Sequence, residues 1–251
     1  MIVLITGATA GIGEAIARKF AENKYDLIIT GRRKERLEKL KSELESKNGI
    51  RVLTLSFDVR SNSEVEIAIN SIPKDFESID VLVNNAGLAA GLATIQNGNL
   101  DHWERMIDTN IKGVLYMTKA VSQIMIKNKK GHIINIGSIA GKEVYPNGNV
   151  YCATKHALDA LTRGMRMDLV QDGIMVSSVN PGMVETEFSI VRFDGDEERA
   201  KKVYEGIQPL TAKDIAETVF WMATRPSHVN INDLTIMPAY QASSTISVRK
   251  S

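Results

Sequence analysis

The stretch Thr6-Gly7-Ala8-Thr9-Ala10-Gly11-Ile12-Gly13 follows a β-branched run at residues 2–5 and leads into residues 12–22, which have a helical period. Glycines lack a Cβ, so the turn can tighten and a pyrophosphate can approach the backbone and the free N–H groups of the helix. Such a turn also ends strands for purely steric reasons, but its position between strand and helix favours a dinucleotide site. The predicted binding residues here are Gly7, Thr9, Ala10, Gly11, Ile12 and Gly13.

Short apolar runs alternate with segments of helical period along the rest of the chain. Strands are predicted at residues 2–5, 27–30, 52–57, 81–83, 133–136, 175–179 and 234–236. Helices are predicted at residues 12–22, 35–45, 64–72, 100–127, 150–171 and 212–223. Strict alternation implies right-handed crossovers and a parallel sheet. We therefore expect an α/β, Rossmann-like, doubly wound fold: a seven-stranded parallel sheet with helices on both faces, in a single domain spanning residues 1–251.

Two segments fall outside this alternation. Residues 189–208 are polar, charged and without a strand, which is typical of a mobile segment over a site, and we expect residues 187–208 to form a substrate lid. The tail at residues 239–251 is polar and rich in Ser and Thr. Two interpretations of the tail remain open: a frayed end, or packing on a neighbouring subunit.

Composition limits the partners. The chain has 31 Lys and Arg residues against 30 Asp and Glu residues, a formal net charge of +1, so we expect no nucleic-acid or anionic-membrane partner. No run approaches the ~20 apolar residues of a membrane span, and no Cys/His set has metal-ligand spacing. Cys152 is the only cysteine and cannot form an internal disulfide, which favours the cytoplasm.

The end of the second predicted strand reads Thr30-Gly31-Arg32-Arg33. A site specific for NAD commonly has an acidic residue there, which bonds the ribose hydroxyls. Two guanidinium groups instead favour the 2′-phosphate of NADP, because arginine forms bidentate, charge-assisted bonds to phosphate oxygens. The alternative is that Arg32 and Arg33 merely begin a charged helix.

Two more strand ends carry candidate cofactor contacts. Asp58 and Val59 end the third strand, where the carboxylate can accept a hydrogen bond from the adenine amine. Asn85, Ala86 and Gly87 follow the fourth strand, and their small side chains permit close ligand approach. Ligands of open parallel sheets bind at these carboxyl ends, so the candidates support one another.

Four residues make a candidate catalytic set. Tyr151 and Lys155 lie four residues apart in a helical segment and share one face, and Ser138 follows the fifth strand. A free phenol has a pKa of ~10, and a cation such as Lys155 is expected to lower that pKa by roughly 1–3 units. The phenol can then exchange a proton with an alcohol or carbonyl held by Ser138, and Asn110 extends a proton relay.

From the first strand to the last, the chain resembles the short-chain dehydrogenase/reductase family. The resemblance rests on residues 6–13, residues 84–87, Asn110, Ser138, Tyr151, Lys155 and Pro181-Gly182. It implies that the serine orients the substrate, the tyrosine is the acid/base, the lysine also binds the nicotinamide ribose, and the asparagine supports a water relay. It also implies nicotinamide and pyrophosphate contacts from Pro181, Gly182, Val184 and Thr186, and a homotetramer built on the two long helices.

The resemblance has one departure and one refinement. Many NADP-preferring relatives have a basic residue where this chain has Ala10, so Arg32 and Arg33 must carry the preference. Residues 85–89, 187–193 and 228–232 are similar to the branch that dehydrogenates 3-hydroxy acids with NADP, with L-allo-threonine, L-serine, 3-hydroxybutyrate or 3-hydroxypropionate as substrates.

Within the lid, Arg192 is a candidate for binding a substrate carboxylate, or alternatively a solvated charge. The same motifs also suit a reductase of 3-oxoacyl-acyl-carrier-protein, polyol or sterol substrates, because substrate choice depends on the lid and loops. A non-enzymatic NADPH-binding regulator is the alternative from another class. Such a regulator does not need the four catalytic residues.

Overall fold

The computed structural model describes residues 1–249, and its elements alternate as the sequence predicts. The strands are β1 (Ile2–Ile5), β2 (Asp26–Gly31), β3 (Val52–Ser56), β4 (Ile79–Asn84), β5 (Gly131–Ile136), β6 (Ile174–Pro181), β7 (Val184–Glu185), β8 (Leu210–Thr211) and β9 (Asp233–Ile236). The α-helices are α1 (Gly11–Glu22), α2 (Lys34–Asn48), α3 (Asn62–Asn70), α4 (Leu100–Ile107), α5 (Val114–Asn128), α6 (Asn149–Leu169), α7 (Phe188–Arg192), α8 (Glu197–Lys202) and α9 (Ala212–Ala223).

Seven strands form one parallel sheet in the order β3-β2-β1-β4-β5-β6-β9. The order reverses between β1 and β4, where Ile5 lies opposite Val83. Ligands of such sheets bind in the crevice at this switch point. The predicted Rossmann-like, doubly wound, single-domain fold is confirmed.

Successive side chains of the central strand point to two separate cores. Val3 and Ile5 of β1 pack with α1, α2 and α9, whereas Ile2 and Leu4 pack with α3, α5 and α6. Because both faces are covered, the strand is apolar at every position. The sheet is therefore held from both sides, and its carboxyl ends form a fixed edge.

The sequence predicts one continuous helix at residues 100–127, and this prediction is wrong because the helix is interrupted. A π-helical turn at Asp108–Gly113 separates α4 from α5. Gly113 lets the π turn pack closely against the loop that follows β3, because a Cβ on Gly113 would lie 2.9 Å from the Val59 side chain. The extra residue of a π turn changes which way a side chain points, and such turns are frequent at functional sites. Apolar periodicity on either side hides this break from the sequence.

The two-stranded sheet of β7 and β8 closes off the base of the segment predicted as a lid. Between these strands lie α7 and α8, which the sequence did not predict. Beyond β9, the tail folds back: Gln241 forms a bridge with Ser247, and Arg249 donates to carbonyls of Val203 and Glu205. The described part of the tail thus packs on the lid segment of its own chain, while Lys250 and Ser251 lie outside the described residues.

Candidate active site

A cavity of about 540 Å³ lies along the carboxyl edge of the sheet, beneath the segment between β7 and β8. Most of the residues predicted from the sequence line it. These are Gly7, Thr9, Ala10, Gly11, Ile12, Arg32, Arg33, Asp58, Val59, Asn85, Ala86, Gly87, Ser138, Tyr151, Lys155, Pro181, Gly182, Val184, Thr186 and Arg192. Gly13 and Asn110 do not line the cavity and lie behind the residues that do.

The glycine-rich turn has the conformation that a phosphate cradle needs. Gly7 and Gly11 have φ values of +68° and +55°, which L side chains rarely adopt. A Cβ on Gly13 would collide with the Asn85 amide and the Gly7 carbonyl, so this glycine allows helix and turn to pack closely. Ala10 caps α1 without a side-chain hydrogen bond, which leaves the first N–H groups free for an anion.

The two predicted arginines behave differently. Arg33 donates through Nε and Nη2 to the Thr9 hydroxyl at 3.1 and 2.8 Å, and through Nη1 to Glu187 at 3.1 Å. Arg32 is largely exposed, with Nη1 3.9 Å from the Asp58 carboxylate. The Arg33 guanidinium is thus held in place beside the glycine turn, whereas the Arg32 guanidinium is free to move onto a ligand. Both line the cavity, in line with a 2′-phosphate site.

A third arginine belongs to this cluster. Arg36 on α2 donates to Glu187 at 3.0 Å, so one carboxylate bridges two guanidinium groups. Burial acts to raise the pKa of Glu187, but the two arginines outweigh it and lower that pKa. Sequence reasoning missed Arg36 because it lies in a run of alternating charges that has the pattern of a solvated helix face.

Asp58 and Asn85 line the cavity and also form hydrogen bonds within the protein. Burial acts to raise the pKa of Asp58, but hydrogen bonds from Arg60 outweigh burial and lower it, so Asp58 is a carboxylate at neutral pH. The Asn85 side chain donates to the carbonyls of Thr6 and Gly7 at 2.8 and 3.2 Å. Asn85 therefore holds the glycine turn in shape from the neighbouring strand.

Tyr151 and Lys155 meet Ser138 at the cavity's inner end. Ser138 opposes the rise in the pKa of Tyr151 that burial causes, so the two hydroxyls are close neighbours, and Lys155 Nζ donates to the Ile136 carbonyl at 2.9 Å. Both α6 side chains are buried. The alternation of sheet and helix thus brings three predicted catalytic residues together.

The expected effect of Lys155 on the tyrosine is corrected. Burial raises the pKa of Tyr151, and the nearby cation that opposes this rise is Arg192. Lys155 Nζ lies 6.0 Å from the Tyr151 ring centre and is itself desolvated, which lowers its pKa to about 8. Burial dominates because both groups leave water for the same enclosed site. At neutral pH the phenol keeps its proton and the lysine is still mostly charged.

Asn110 is buried in the π turn and holds two elements together. Its Oδ1 accepts from Leu88 N–H at 2.9 Å, and its Nδ2 donates to the Leu88 carbonyl and to Thr154 Oγ1 at 2.8 and 3.0 Å. Thr154 in turn donates to the Tyr151 carbonyl. The amide therefore connects the loop after β4 to the helix that carries Tyr151.

Arg192 reaches into the cavity from α7. Its Nη2 donates to the Tyr145 hydroxyl at 2.9 Å and its Nε to the Gly91 carbonyl at 3.3 Å. Its Cζ lies 5.6 Å from the Tyr145 ring centre and 5.7 Å from that of Tyr151. Sequence reasoning missed Tyr145 as a cavity residue, since an aromatic side chain in a loop reads equally well as packing.

Among residues 1–249, no group of three or more His, Cys, Asp or Glu side chains has an arrangement that would hold a metal ion. None of the helices described there combines the length and apolarity needed to cross a membrane.

Comparisons with known proteins agree with this geometry. The family described as "short chain dehydrogenase" matches residues 1–197. The chain is 51% identical over 252 residues to the NADP-dependent 3-hydroxy acid dehydrogenase YdfG of Salmonella typhi, with all of both chains covered. It is 44% identical to the serine 3-dehydrogenase of Agrobacterium fabrum, covering 96% of this chain and 94% of that one.

A solved structure is similar in fold along its whole length. The closed form of serine dehydrogenase complexed with NADP+ superposes with a TM-score of 0.93 at 46% identity, covering 100% of both chains. The similarity therefore includes the segment between β7 and β8 and the tail, in addition to the sheet.

Proposed function

The chain belongs to the short-chain dehydrogenase family, and on that premise we propose that it transfers hydride between NADP(H) and a small 3-hydroxy acid. Substrates of the L-allo-threonine, L-serine, 3-hydroxybutyrate or 3-hydroxypropionate type fit this proposal. One observation carries it: Ser138, Tyr151 and Lys155 converge in the same cavity as the glycine turn and its arginines. Proton-transfer groups and a dinucleotide cradle in one cavity are what a dehydrogenase needs.

The cavity fits NADP(H), which supplies or accepts the hydride when bound. The pyrophosphate would lie on the N–H groups of residues 11–13, where a Cβ at Gly7 or Gly11 would be strained. Arg32 and Arg33 would bind the 2′-phosphate and Asp58 the adenine amine. Pro181, Gly182, Val184 and Thr186 also line the cavity, and we place the nicotinamide end beside them.

Ser138 and Tyr151 would bind the alcohol or carbonyl oxygen of the carbon that is oxidised or reduced. Because burial keeps the phenol protonated, Tyr151 can donate its proton directly to the carbonyl oxygen in reduction. In oxidation the phenol first gives its proton to the relay, and the resulting phenolate takes the proton of the alcohol. Ser138, at the end of β5, fixes that oxygen beside the phenol. Lys155 would bind the ribose of the nicotinamide, and Asn110 would support the proton relay by holding the loop against α6.

Residues 187–208 form the substrate lid in this proposal. The lid carries Arg192, whose guanidinium faces the catalytic tyrosine. A carboxylate on the substrate would bind this cation, since charge-assisted hydrogen bonds are strong in an enclosed site. Exclusion of water by the lid would strengthen both the charge attraction and the hydrogen bonds between Arg192 and the carboxylate.

The activity is tested by following NADPH absorbance with a panel of substrates. We expect oxidation of L-serine, L-allo-threonine and 3-hydroxybutyrate with NADP+, and much slower oxidation with NAD+. Acetoacetyl thioesters, polyols and sterols are the competing substrate classes. A rate with any of them that exceeds the 3-hydroxy acid rates would replace the substrate assignment.

Tyr151→Phe tests the chemistry. The substitution removes the transferable proton and keeps the ring, so kcat should fall about 10²–10⁴-fold, the usual contribution of general acid–base catalysis. NADPH binding, measured by fluorescence titration, should stay within a factor of a few. Tyr25→Phe, at a partly buried ring that packs on Phe20 outside the cavity, is the matched control. Normal turnover by Tyr151→Phe would contradict the assignment.

We also propose a cytoplasmic homotetramer. The exposed apolar side chains of Leu115 on α5 and Met167 on α6 support assembly through these two helices. The single buried thiol of Cys152 supports a reducing compartment.

A further inference from the structure

Arg192 is a half-buried cation without an anionic partner among residues 1–249. Its hydrogen bonds go to a carbonyl and to the Tyr145 hydroxyl, and its Nη1 donates to neither. A cation in an enclosed site is costly to leave uncompensated. Elsewhere in the cavity wall, the acidic side chains are Asp58 and Glu187, and both lie among the arginines of the coenzyme end. The substrate end therefore attracts an anion.

Tyr145 is fixed beside this cation. It lies in the loop before α6, where a Cβ on Gly148 would collide with its ring, and the ring packs on the cluster that contains Tyr151 and Cys152. Burial raises the pKa of Tyr145, with Arg192 opposing the rise, so the hydroxyl is protonated at neutral pH.

The hydroxyl of Tyr145 has an unused proton. It accepts from Arg192 Nη2 at 2.9 Å, which orients its own O–H away from the guanidinium. Among residues 1–249, that O–H group donates no hydrogen bond. A donor that is partly buried, oriented and unpaired beside a guanidinium matches the second oxygen of a carboxylate.

We propose that Tyr145 and Arg192 together bind the substrate carboxylate and that the Tyr145 hydroxyl selects acids over neutral alcohols. The inference rests on the proposed function, which places the reacting oxygen at Ser138 and Tyr151. In a 3-hydroxy acid the reacting carbon and the carboxyl carbon are roughly 2.5 Å apart, as two carbon–carbon bonds dictate. That short span suits a guanidinium 5.7 Å from the Tyr151 ring centre.

The test compares an acid with its ester in Tyr145→Phe. With NADP+, 3-hydroxybutyrate and methyl 3-hydroxybutyrate have the same reacting alcohol and differ in the charge of the carboxyl group. We expect the KM for the acid to rise about tenfold or more, as for a lost hydrogen bond to a charged group, with kcat nearly unchanged. The KM for the ester should change by less than about twofold, since that substrate never used the charged contact.

Tyr204→Phe is the matched control. Tyr204 also lines the cavity, but its hydroxyl donates to the Val184 carbonyl and pairs with Ser189, so it has no proton to spare. Its loss should change the KM values for acid and ester by the same factor. An acid-selective effect in Tyr204→Phe equal to that in Tyr145→Phe would overturn the inference.

Other outcomes separate this inference from the proposed function. If native enzyme prefers the acid and Tyr145→Phe keeps the same preference, the inference is overturned and the proposed function stands. If native enzyme oxidises neither of these compounds nor L-serine and L-allo-threonine, the proposed function fails, and the inference that rests on it fails as well. Should Tyr145→Phe lose NADPH binding through misfolding, Arg192→Gln reports on the same pair, and an equal rise in KM for acid and ester would overturn the inference.

Discussion

Arg33 is positioned by side chains from two other parts of the chain. The Thr9 hydroxyl in the glycine turn accepts two of its N–H groups, and Glu187 in the lid accepts a third. A guanidinium fixed in this way loses less entropy when it binds a phosphate than a free one. Arg32, which is mostly exposed, lacks this advantage.

Arg33→Ala should therefore shift coenzyme preference. Loss of charge-assisted hydrogen bonds to the 2′-phosphate is expected to raise the KM for NADP+ about 10–100-fold, while the KM for NAD+ changes little because NAD+ lacks that phosphate. Initial-rate measurements with both coenzymes check this. Arg18→Ala is the control, since Arg18 pairs with Glu14 and Glu43 on the outer surface. Equal effects of Arg33→Ala on NADP+ and NAD+ would exclude a phosphate contact.

At the scale of elements, the segment that we propose as the lid, residues 187–208, is held at three places. Its base is the pairing of β7 with β8, its first residue Glu187 pairs with Arg33 and Arg36, and its far end receives the Arg249 guanidinium from the tail. The Glu187 pairs are almost half exposed, so they add little to global stability. Their effect is local, on the position of the lid relative to the coenzyme site.

Glu187→Gln should loosen the lid without unfolding the protein. We expect trypsin to cut more quickly at Lys201 or Lys202 in α8, whereas the free energy of unfolding in urea changes by less than about 1 kcal/mol. Glu198→Gln, on α8, keeps the Glu187 pairs and serves as the control. Unchanged cleavage in Glu187→Gln would show that these ion pairs do not restrain the lid.

At the scale of the whole molecule, His132 makes the free energy of unfolding depend on pH. This buried imidazole on β5 pairs with the Ser177 hydroxyl, and burial lowers its pKa from 6.5 to about 4. Between those values the unfolded chain binds a proton that the folded chain does not, so stability falls as pH falls from 6.5 towards 4. Carboxylates in ion pairs add to the same trend.

The contribution of His132 to the pH dependence of stability is isolated by comparing variants. His132→Asn removes the titrating group, so the free energy of unfolding should depend less on pH between about 6.5 and 4 than it does for the native chain. Urea denaturation at several pH values measures this slope. His228→Asn, at an exposed position, should leave the slope near its native value. An identical slope for the native chain and His132→Asn would show that His132 is not desolvated on folding.

The sequence by itself determined the alternation of strands and helices, the glycine turn, the arginine pair after β2 and the Ser138, Tyr151 and Lys155 set. These features depend on apolar periodicity and turn chemistry, which act over a few residues. It also determined which edge of the sheet holds the site, because parallel strands end on the same side.

Only the tertiary structure decided which side chains support those residues. Glu187 meets Arg33 across 154 positions, and Arg192 meets the Tyr145 hydroxyl across 47. The π turn at Asn110 and the raised pKa of Tyr151 likewise depend on neighbours from other elements. Burial and ion pairing are set by the path of the folded chain, and a local pattern of residues contains no information on that path.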